Sequence, residues 1–412
     1  MRTTRQMKRR LISLYTGVGG LDLGFEAAGF EVAVAVEMDA DAVQALQKNR
    51  EWRVVAAGST PKPIEAISSA ELLRTGHLGV GEASVLIGGP PCQPFSKAGY
   101  WASGDSKRLK DPRAKTIEHF LRVLQDAQPE AYLLENVPGL NFDAKNEGLR
   151  YIERRIDQIN RKTHANYTIA VKQLNAADYG VPQFRHRVFV IGHRDGKQFH
   201  FPAEPLFSIA AADPRRRYST AWDAIGEFAD DDDPTLKVTG RWAALLPSIP
   251  EGKNYLWHTA RGGGKPLFGW RTRYWTFLLK LSKRRPAWTL QAQPGPAIGP
   301  FHWKNRRLSA RELCRLQTIP DDYQVPGSIR VVQRLLGNAV PSALAEYLAR
   351  QIRHQFFAEE IGTAPRLLPK REGGSPPAEE SPRRVHRQYL SLVGNHAEHP
   401  GTGLGPAARR RR

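Results

Sequence analysis

Leu11-Ile12-Ser13-Leu14-Tyr15 runs directly into Thr16-Gly17-Val18-Gly19-Gly20, and Leu21-Asp22-Leu23-Gly24-Phe25-Glu26 follows. A short apolar run, a turn of glycines and a helix-like segment make a strand–turn–helix unit, the opening element of an α/β sheet. Bare backbone amides at such a helix N-terminus can lie against a ligand that side chains would exclude. The spacing departs from GxGxxG, so the turn alone does not name the ligand.

Working outward, the next apolar run, Glu31 to Val36, ends at Glu37, where a carboxylate could take both hydroxyls of a ribose. Proteins that bind NAD and proteins that bind S-adenosylmethionine both place an acid there. Further runs follow at 83–90 (ASVLIGGP), 131–137 (AYLLENV) and 187–192 (RVFVIG), separated by helix-like segments. The alternation predicts parallel strands with crossover helices on both faces of the sheet. From Phe201 to Asn305 the texture changes to Trp, Pro, Gly and basic residues without long periodicity, which predicts a loop-rich insert. A helix is predicted over Ser309–Thr318, with Ser309 and Glu312 as a capping box, and another from Pro341 to Phe357. The expected organisation is a catalytic first part at 1–200, the insert at 201–305, a helical return at 306–360 and a basic, disordered tail at 361–412.

The formal charge of +20, from 61 Lys and Arg against 41 Asp and Glu, favours a polyanionic partner. No stretch approaches the roughly 20 apolar residues that span a bilayer, so no membrane association is expected. Cys92 and Cys314 are the only cysteines, which excludes a disulfide framework and a Cys-rich zinc site and fits a reducing interior. The histidines show no ligand spacing, and no metal is expected.

The run Gly88-Gly89-Pro90-Pro91-Cys92-Gln93-Pro94-Phe95-Ser96 follows the strand ASVLI at the carboxyl edge of the expected sheet, where ligands of such sheets bind. Prolines stiffen this turn and would hold the Cys92 thiol at the end of a rigid strand. The strand AYLLE delivers Glu135 to the same edge, so a nucleophile and a carboxyl face one pocket. Gln183-Phe184-Arg185-His186-Arg187 adds donors, with a structural salt bridge as the alternative for one of the two arginines.

Taken in order, YTGVGGLDLGF, Glu37, GGPPCQPFS, Asp111-Pro112-Arg113, Glu135-Asn136-Val137, QFRHR, Thr289-Leu290, RRLSARELCRLQTIP and Gly337-Asn338-Ala339-Val340-Pro341 resemble the DNA cytosine-5 methyltransferase family. The motifs cover nearly everything between Leu11 and Arg350. The resemblance implies a class I S-adenosylmethionine-dependent methyltransferase fold, a Rossmann-like mixed sheet with a smaller target-recognition domain. It implies a prokaryotic, cytoplasmic restriction-modification enzyme that acts as a monomer on duplex DNA and shares its site with a cognate restriction endonuclease without a stable complex. Cys92 is then the nucleophile that adds to carbon 6 of a flipped cytosine, Glu135 the partner of ring N3, and Arg185 or Arg187 the donor near the ring oxygen. The cofactor, S-adenosylmethionine, is expected against Tyr15, Thr16, Gly17, Gly19, Gly20, Leu21, Glu37, Met38, Pro90, Asn338 and Val340. Residues Gln93 to Arg113 become a lid over DNA, with Gln93 or Ser96 filling the space left by the base and Arg113 and Thr289 on the DNA side. The helix that would normally precede the first strand is expected from Pro341–Phe357. The family's usual Asp for the adenine amine is replaced by Gly58-Ser59-Thr60, which leaves Ser59 or main-chain carbonyls for that contact.

Sequence choice is expected from the insert, where Arg261, within the glycine-rich His258–Lys265, and Arg271 and Arg273 are candidate DNA contacts. Three other readings compete. An RNA methyltransferase of the same chemistry does not account for so long an insert. An oxidoreductase lacks a second cysteine near Cys92, and a DNA-binding protein without activity leaves Cys92 and Glu135 unexplained.

Overall fold

The computed structural model describes residues 9–57, 60–91, 115–138, 147–228, 233–269, 275–360, 365–369 and 374–394. Its frame is a six-stranded mixed sheet. β1 (Arg9–Leu14) lies between β2 (Phe30–Val36) and β3 (Val85–Gly88), and β4 (Ala131–Asn136) continues beyond β3, all parallel. β5 (Ala170–Asn175) and β7 (His186–His193) complete the order β2-β1-β3-β4-β7-β5, with β7 antiparallel to both its neighbours. The alternating pattern marks β1 to β4 and β7 but not β5, and it gives β7 the wrong sense. The run at 187–192, expected parallel, is antiparallel to both neighbours because no crossover α-helix separates it from β5, which makes the sheet mixed, as the resemblance implies. A two-residue β6 (Gln183–Phe184) pairs with β8 (Ala287–Trp288) from the insert.

Period-two alternation distributes the strand side chains over two cores. Ile12, Leu14, Leu86, Tyr132 and Leu134 meet α4 (Lys115–Ala127) and α5 (Glu147–Thr163) on one face through Phe120, Leu124, Ile152 and Ile156. Leu11, Ile87, Leu133 and Phe189 on the other face meet α1 (Gly20–Ala27) and α9 (Ser342–Phe357) through Phe25, Leu344, Leu348, Ile352 and Phe356. α9 thus takes the expected place beside the first strand–helix unit. The approach of α9 to α1 is close enough that a Cβ on Gly24 would stand 2.4 Å from the Glu346 amide nitrogen. Thr318 Oγ1 satisfies the N-terminal turn of α9 by accepting from the Ala343 amide at 2.8 Å.

A third cluster joins Val18 and Leu23 to α2 (Ala40–Asn49), α7 (Ala310–Leu316) and α8 (Ile329–Asn338), and it also takes in Ala221, Ile225, Leu281, Ala287, Leu290 and Trp303. Residues from both sides of the boundaries expected at 201 and 305 therefore share one core. The rest of the insert has its own, around Leu245, Tyr255, Phe268, Phe277 and Phe301. The capping box of Ser309 and Glu312 forms as expected. The expectation of a disordered tail from 361 does not hold for the described residues 365–369 and 374–394, because they carry buried contacts. Buried Glu346 accepts the amides of Arg366 and Leu367, each at 2.8 Å, and Tyr389 enters the insert core. Among the described residues, no helix is long and apolar enough to cross a membrane.

Candidate active site

Strand register brings the site together. Leu14 pairs with both Val36 and Gly88, and Gly88 pairs with Leu134, so four strands end in line. The residues that follow them, Tyr15 to Gly20, Glu37, Gly89 to Pro91 and Glu135, consequently share one edge. β7 runs the opposite way, and its Val188 stands opposite Asn136, so Arg187 arrives at that same edge from the far side.

Arg187 Nε lies 2.8 Å from Glu135 Oε1, with both side chains largely buried. Burial pushes the Glu135 carboxyl above the usual range, and the Arg187 and Arg185 charges oppose it. Gly89 packs on this carboxylate so closely that a Cβ there would stand 2.8 Å from Glu135 Oε2. Asn136 Nδ2 donates to Pro90 O at 3.5 Å and Thr116 Oγ1 to Pro91 O at 3.3 Å, fixing the turn that leads into Cys92. Cys92 lies outside the described residues, as do Ser59, Gln93, Ser96, Arg113, Arg271 and Arg273. Cys314, by contrast, is buried in the third cluster, and burial pushes its thiol up to about 12, so it is no nucleophile.

The structure separates the two arginines that the sequence leaves open. Arg185 is wholly buried and donates to Gly337 O at 2.8 Å and Leu290 O at 3.3 Å, so its guanidinium holds main chain rather than facing the cleft. Gln183 holds the other side of Leu290, accepting its amide at 3.1 Å, and donates to Leu316 O at 3.1 Å. Thr289 is similarly engaged, its hydroxyl donating to Phe184 O at 2.6 Å.

On the cofactor side, Gly17 and Gly19 adopt φ of +56° and +76°, a conformation that favours glycine. A Cβ on Gly17 would meet nothing within 4 Å, whereas one on Gly20 would stand 2.3 Å from Val340 O. Gly17 therefore borders open space and Gly20 seats the segment leading into α9. The Glu37 carboxylate accepts the amides of Gly17 at 2.7 Å, Met38 at 2.8 Å and Asp39 at 2.7 Å, which ties the end of β2 to the glycine turn. Burial pushes this carboxyl up, while those amides pull it down. Thr16 Oγ1 donates to Val36 O at 3.2 Å, and Tyr15 Oη to Thr116 O at 2.7 Å. Leu21 is buried, Met38 and Asn338 are exposed.

Two features escape the sequence reading. Asp22 is buried in α1 with neither carboxyl oxygen hydrogen-bonded among the described residues, and burial pushes its carboxyl up to about 7. The glycine-rich segment His258–Lys265 is wound on its own aromatic neighbours. Cβ atoms on Gly263 and Gly264 would stand 2.4 and 2.5 Å from the Trp257 ring, and buried His258 bonds Ser248 Oγ at 2.8 Å and Lys265 O at 3.0 Å. Arg261 is exposed on this knot. Among the described residues, no three His, Cys, Asp or Glu side chains gather as a metal site would require.

Comparison with known proteins agrees with this architecture. The model of the C-5 cytosine-specific DNA methylase family matches residues 9–354. The Type II methyltransferase M.SacI of Streptomyces achromogenes is 38% identical over 381 residues, which cover 86% of this chain and 95% of the relative. M.FnuDI of Fusobacterium nucleatum, also a Type II methyltransferase, is 32% identical over 368 residues, 85% of this chain and 96% of its own. Among solved structures, a prophage-encoded DNA modification methyltransferase from E. coli shares the fold with a TM-score of 0.60 at 22% identity, covering 84% of this chain and 99% of its own. With its strand ends, its Glu135–Arg187 pair and its glycine turn in this order, the chain belongs to the C-5 cytosine-specific DNA methylase family.

Proposed function

We propose that this methylase flips a cytosine out of duplex DNA and methylates its carbon 5, with S-adenosylmethionine as donor. The observation that carries the mechanism is the Glu135–Arg187 pair packed against Gly89, three residues before Cys92. Carbon 5 of cytosine is a weak nucleophile until a thiolate adds to carbon 6. That addition places an electron pair on the ring, which N3 must receive with a proton or a hydrogen bond. A carboxyl raised by burial supplies it, and the Arg187 guanidinium is placed to donate to the adjoining ring oxygen. Cys92 forms the bond to carbon 6 and carbon 5 takes the methyl group. Loss of the carbon 5 proton to a base then returns the electrons and expels the thiolate, and Glu135 recovers its proton from N3.

The glycine turn fits a nucleoside donor. Gly17 leaves room where a side chain would intrude, and Glu37 Oε2, accepting from Gly17, retains acceptor capacity for a hydroxyl. Bound there, S-adenosylmethionine would supply an electrophilic methyl group on a sulfonium. Tyr15 to Gly20 and Glu37 would hold it, and Ser59 or main chain would take the adenine amine. The recognition function falls to the insert, with Arg261, Arg271 and Arg273 as contacts and Gln93, Ser96, Arg113 and Thr289 at the cleft. The enzyme acts as a monomer in a prokaryotic cytoplasm and shares its site with a cognate restriction endonuclease.

Labelled methyl transfer to duplex DNA, with tRNA as parallel substrate, tests the reaction; preferential labelling of tRNA would overturn the DNA assignment. Duplex DNA carrying 5-fluorocytosine, which blocks proton loss from carbon 5, should form a covalent adduct with the wild type and none with Cys92→Ala. Trapping by that variant would remove Cys92 from the mechanism.

A further inference from the structure

We propose that residues 374–394 are a strap that positions the DNA-facing loop of the recognition region, with Tyr389 as its anchor. The strap lies beyond the 9–354 that the family model matches. Tyr389 is 4% exposed, in the insert core with Leu245, Phe268 and Phe277. Its ring stacks on Trp242 with centroids 5.7 Å apart and planes 14° from parallel, and its hydroxyl donates to Arg241 O at 2.7 Å. The Arg383 amide donates to Pro247 O at 2.9 Å. These two contacts pin the short helical turn Ala243–Ser248 at both ends.

A buried pair reinforces the seat. Lys283 Nζ lies 2.7 Å from Glu251 Oε1, each side chain 3% exposed, and donates to Ala378 O in the strap at 3.0 Å. Lys304 pairs with Glu380 at 2.8 Å nearer the surface, where such a pair adds little. From the pinned turn the connection runs inward. Ser248 Oγ holds His258 Nε2 at 2.8 Å, and His258 Nδ1 holds Lys265 O at 3.0 Å, which closes the loop that exposes Arg261. Tyr389 and Arg383 are therefore positioning residues, two contacts removed from the loop. Removing Tyr389 would bare the face of Trp242 to water and release one end of the turn.

The inference rests on the reading of the insert as the recognition region, and the test separates the two. Four full-length or shortened proteins are compared with wild type: Tyr389→Ala, Tyr389→Phe, a chain lacking 374–412 and a chain lacking only 395–412. Each is measured for KM with duplex DNA, kcat, S-adenosylhomocysteine binding and amide exchange over 243–265. Tyr389→Ala and the chain lacking 374–412 should raise KM for DNA about tenfold or more while cofactor-product binding stays within about twofold, and 243–265 should exchange faster. The chain lacking 395–412 should behave as wild type, and Tyr389→Phe, which keeps the stack but loses the bond to Arg241 O, should fall between wild type and Tyr389→Ala. Unchanged KM and exchange in the chain lacking 374–412 would overturn the strap, and so would an equal loss of cofactor-product binding, the mark of general unfolding. Faster exchange with unchanged KM would uphold the strap and overturn the assignment of this loop to DNA.

Discussion

Arg185 donates at 2.8 Å to the carbonyl of Gly337, 152 residues away in sequence, while Arg187, two positions on, pairs with Glu135. Neighbouring arginines of one motif thus hold different partners: one binds main-chain carbonyls that close the fold and the other binds a buried carboxylate at the sheet edge. Arg185→Met leaves the Gly337 and Leu290 carbonyls buried without donors, which should cost about 2 kcal/mol after the relief of an unpaired buried charge is subtracted. Arg187→Met should lower the methyl-transfer rate and, because it leaves the buried Glu135 without its cation, also cost stability that returns as pH falls and the carboxyl is protonated. Thermal melts and single-turnover rates on both variants check this; a stable Arg185→Met would show that the carbonyls find other partners.

In the proposed reaction Glu135 acts as an acid, and burial holds its carboxyl above the ordinary range. Its protonated form fades as pH rises through that raised value, so the transfer rate should fall on the alkaline side. Glu135→Gln should slow transfer by about a hundredfold and remove that limb. Arg187→Met, by deleting the chief opposing charge, should move the limb to higher pH while lowering the plateau. A limb that stays in place in Glu135→Gln would belong to another group.

Asp22 offers a stability test independent of activity. Its carboxyl is raised from 3.8 to about 7, so the protonated form is the one the fold prefers. The associated stability is complete below the unfolded value and is lost as pH rises through about 7. Asp22→Asn should therefore melt higher than wild type at pH ~8, by up to about 4 kcal/mol, and lose this advantage toward acid. A variant weaker than wild type at alkaline pH would mean that the carboxylate is ionised and paired.

The glycines of the first turn and helix should respond according to what a methyl group would meet. Gly24→Ala drives a Cβ to 2.4 Å from the Glu346 nitrogen and should cost about 1–3 kcal/mol or more by parting α1 from α9. Gly17→Ala has room and pays only for φ of +56°, about 1 kcal/mol, yet should weaken S-adenosylhomocysteine binding in calorimetry because it fills the space assigned to the ligand. Equal melting losses for the two would contradict the packing described.

The parallel strands and the sheet edge are legible because buried strands read as continuous apolar runs, and Glu37 and Glu135 are the first or last polar residues of such runs. β5 is not: it is a half-exposed edge strand, Ala170-Val171-Lys172-Gln173-Leu174-Asn175, with too little alternation to register. The distinction between Arg185 and Arg187 is invisible locally, since the chain breaks between β6 and β7 at Arg185 and period-two alternation does not carry through. The helix α8 has a cap at Ser328 and apolar spacing at Val332, Leu335 and Leu336, but its last residues, Gly337-Asn338, read as a loop. Glycines at 262–264 signal freedom in a sequence; here they permit contact with a tryptophan, and only the fold distinguishes the two uses.

The seating of α9 against Gly20 and Gly24 also has a meaning for the order in which the protein comes into being. Residues 342–357 supply a wall that the first strand and helix need, so a nascent chain that has emerged as far as the insert still exposes Leu11, Phe25 and Ile87 to water. The first strand and helix, residues 9–27, keep that face without its wall until residues 342–357 have been made, so their closure depends on contacts of very long sequence separation. A product that stops before residue 342 lacks the wall against which α1 and the first strand pack.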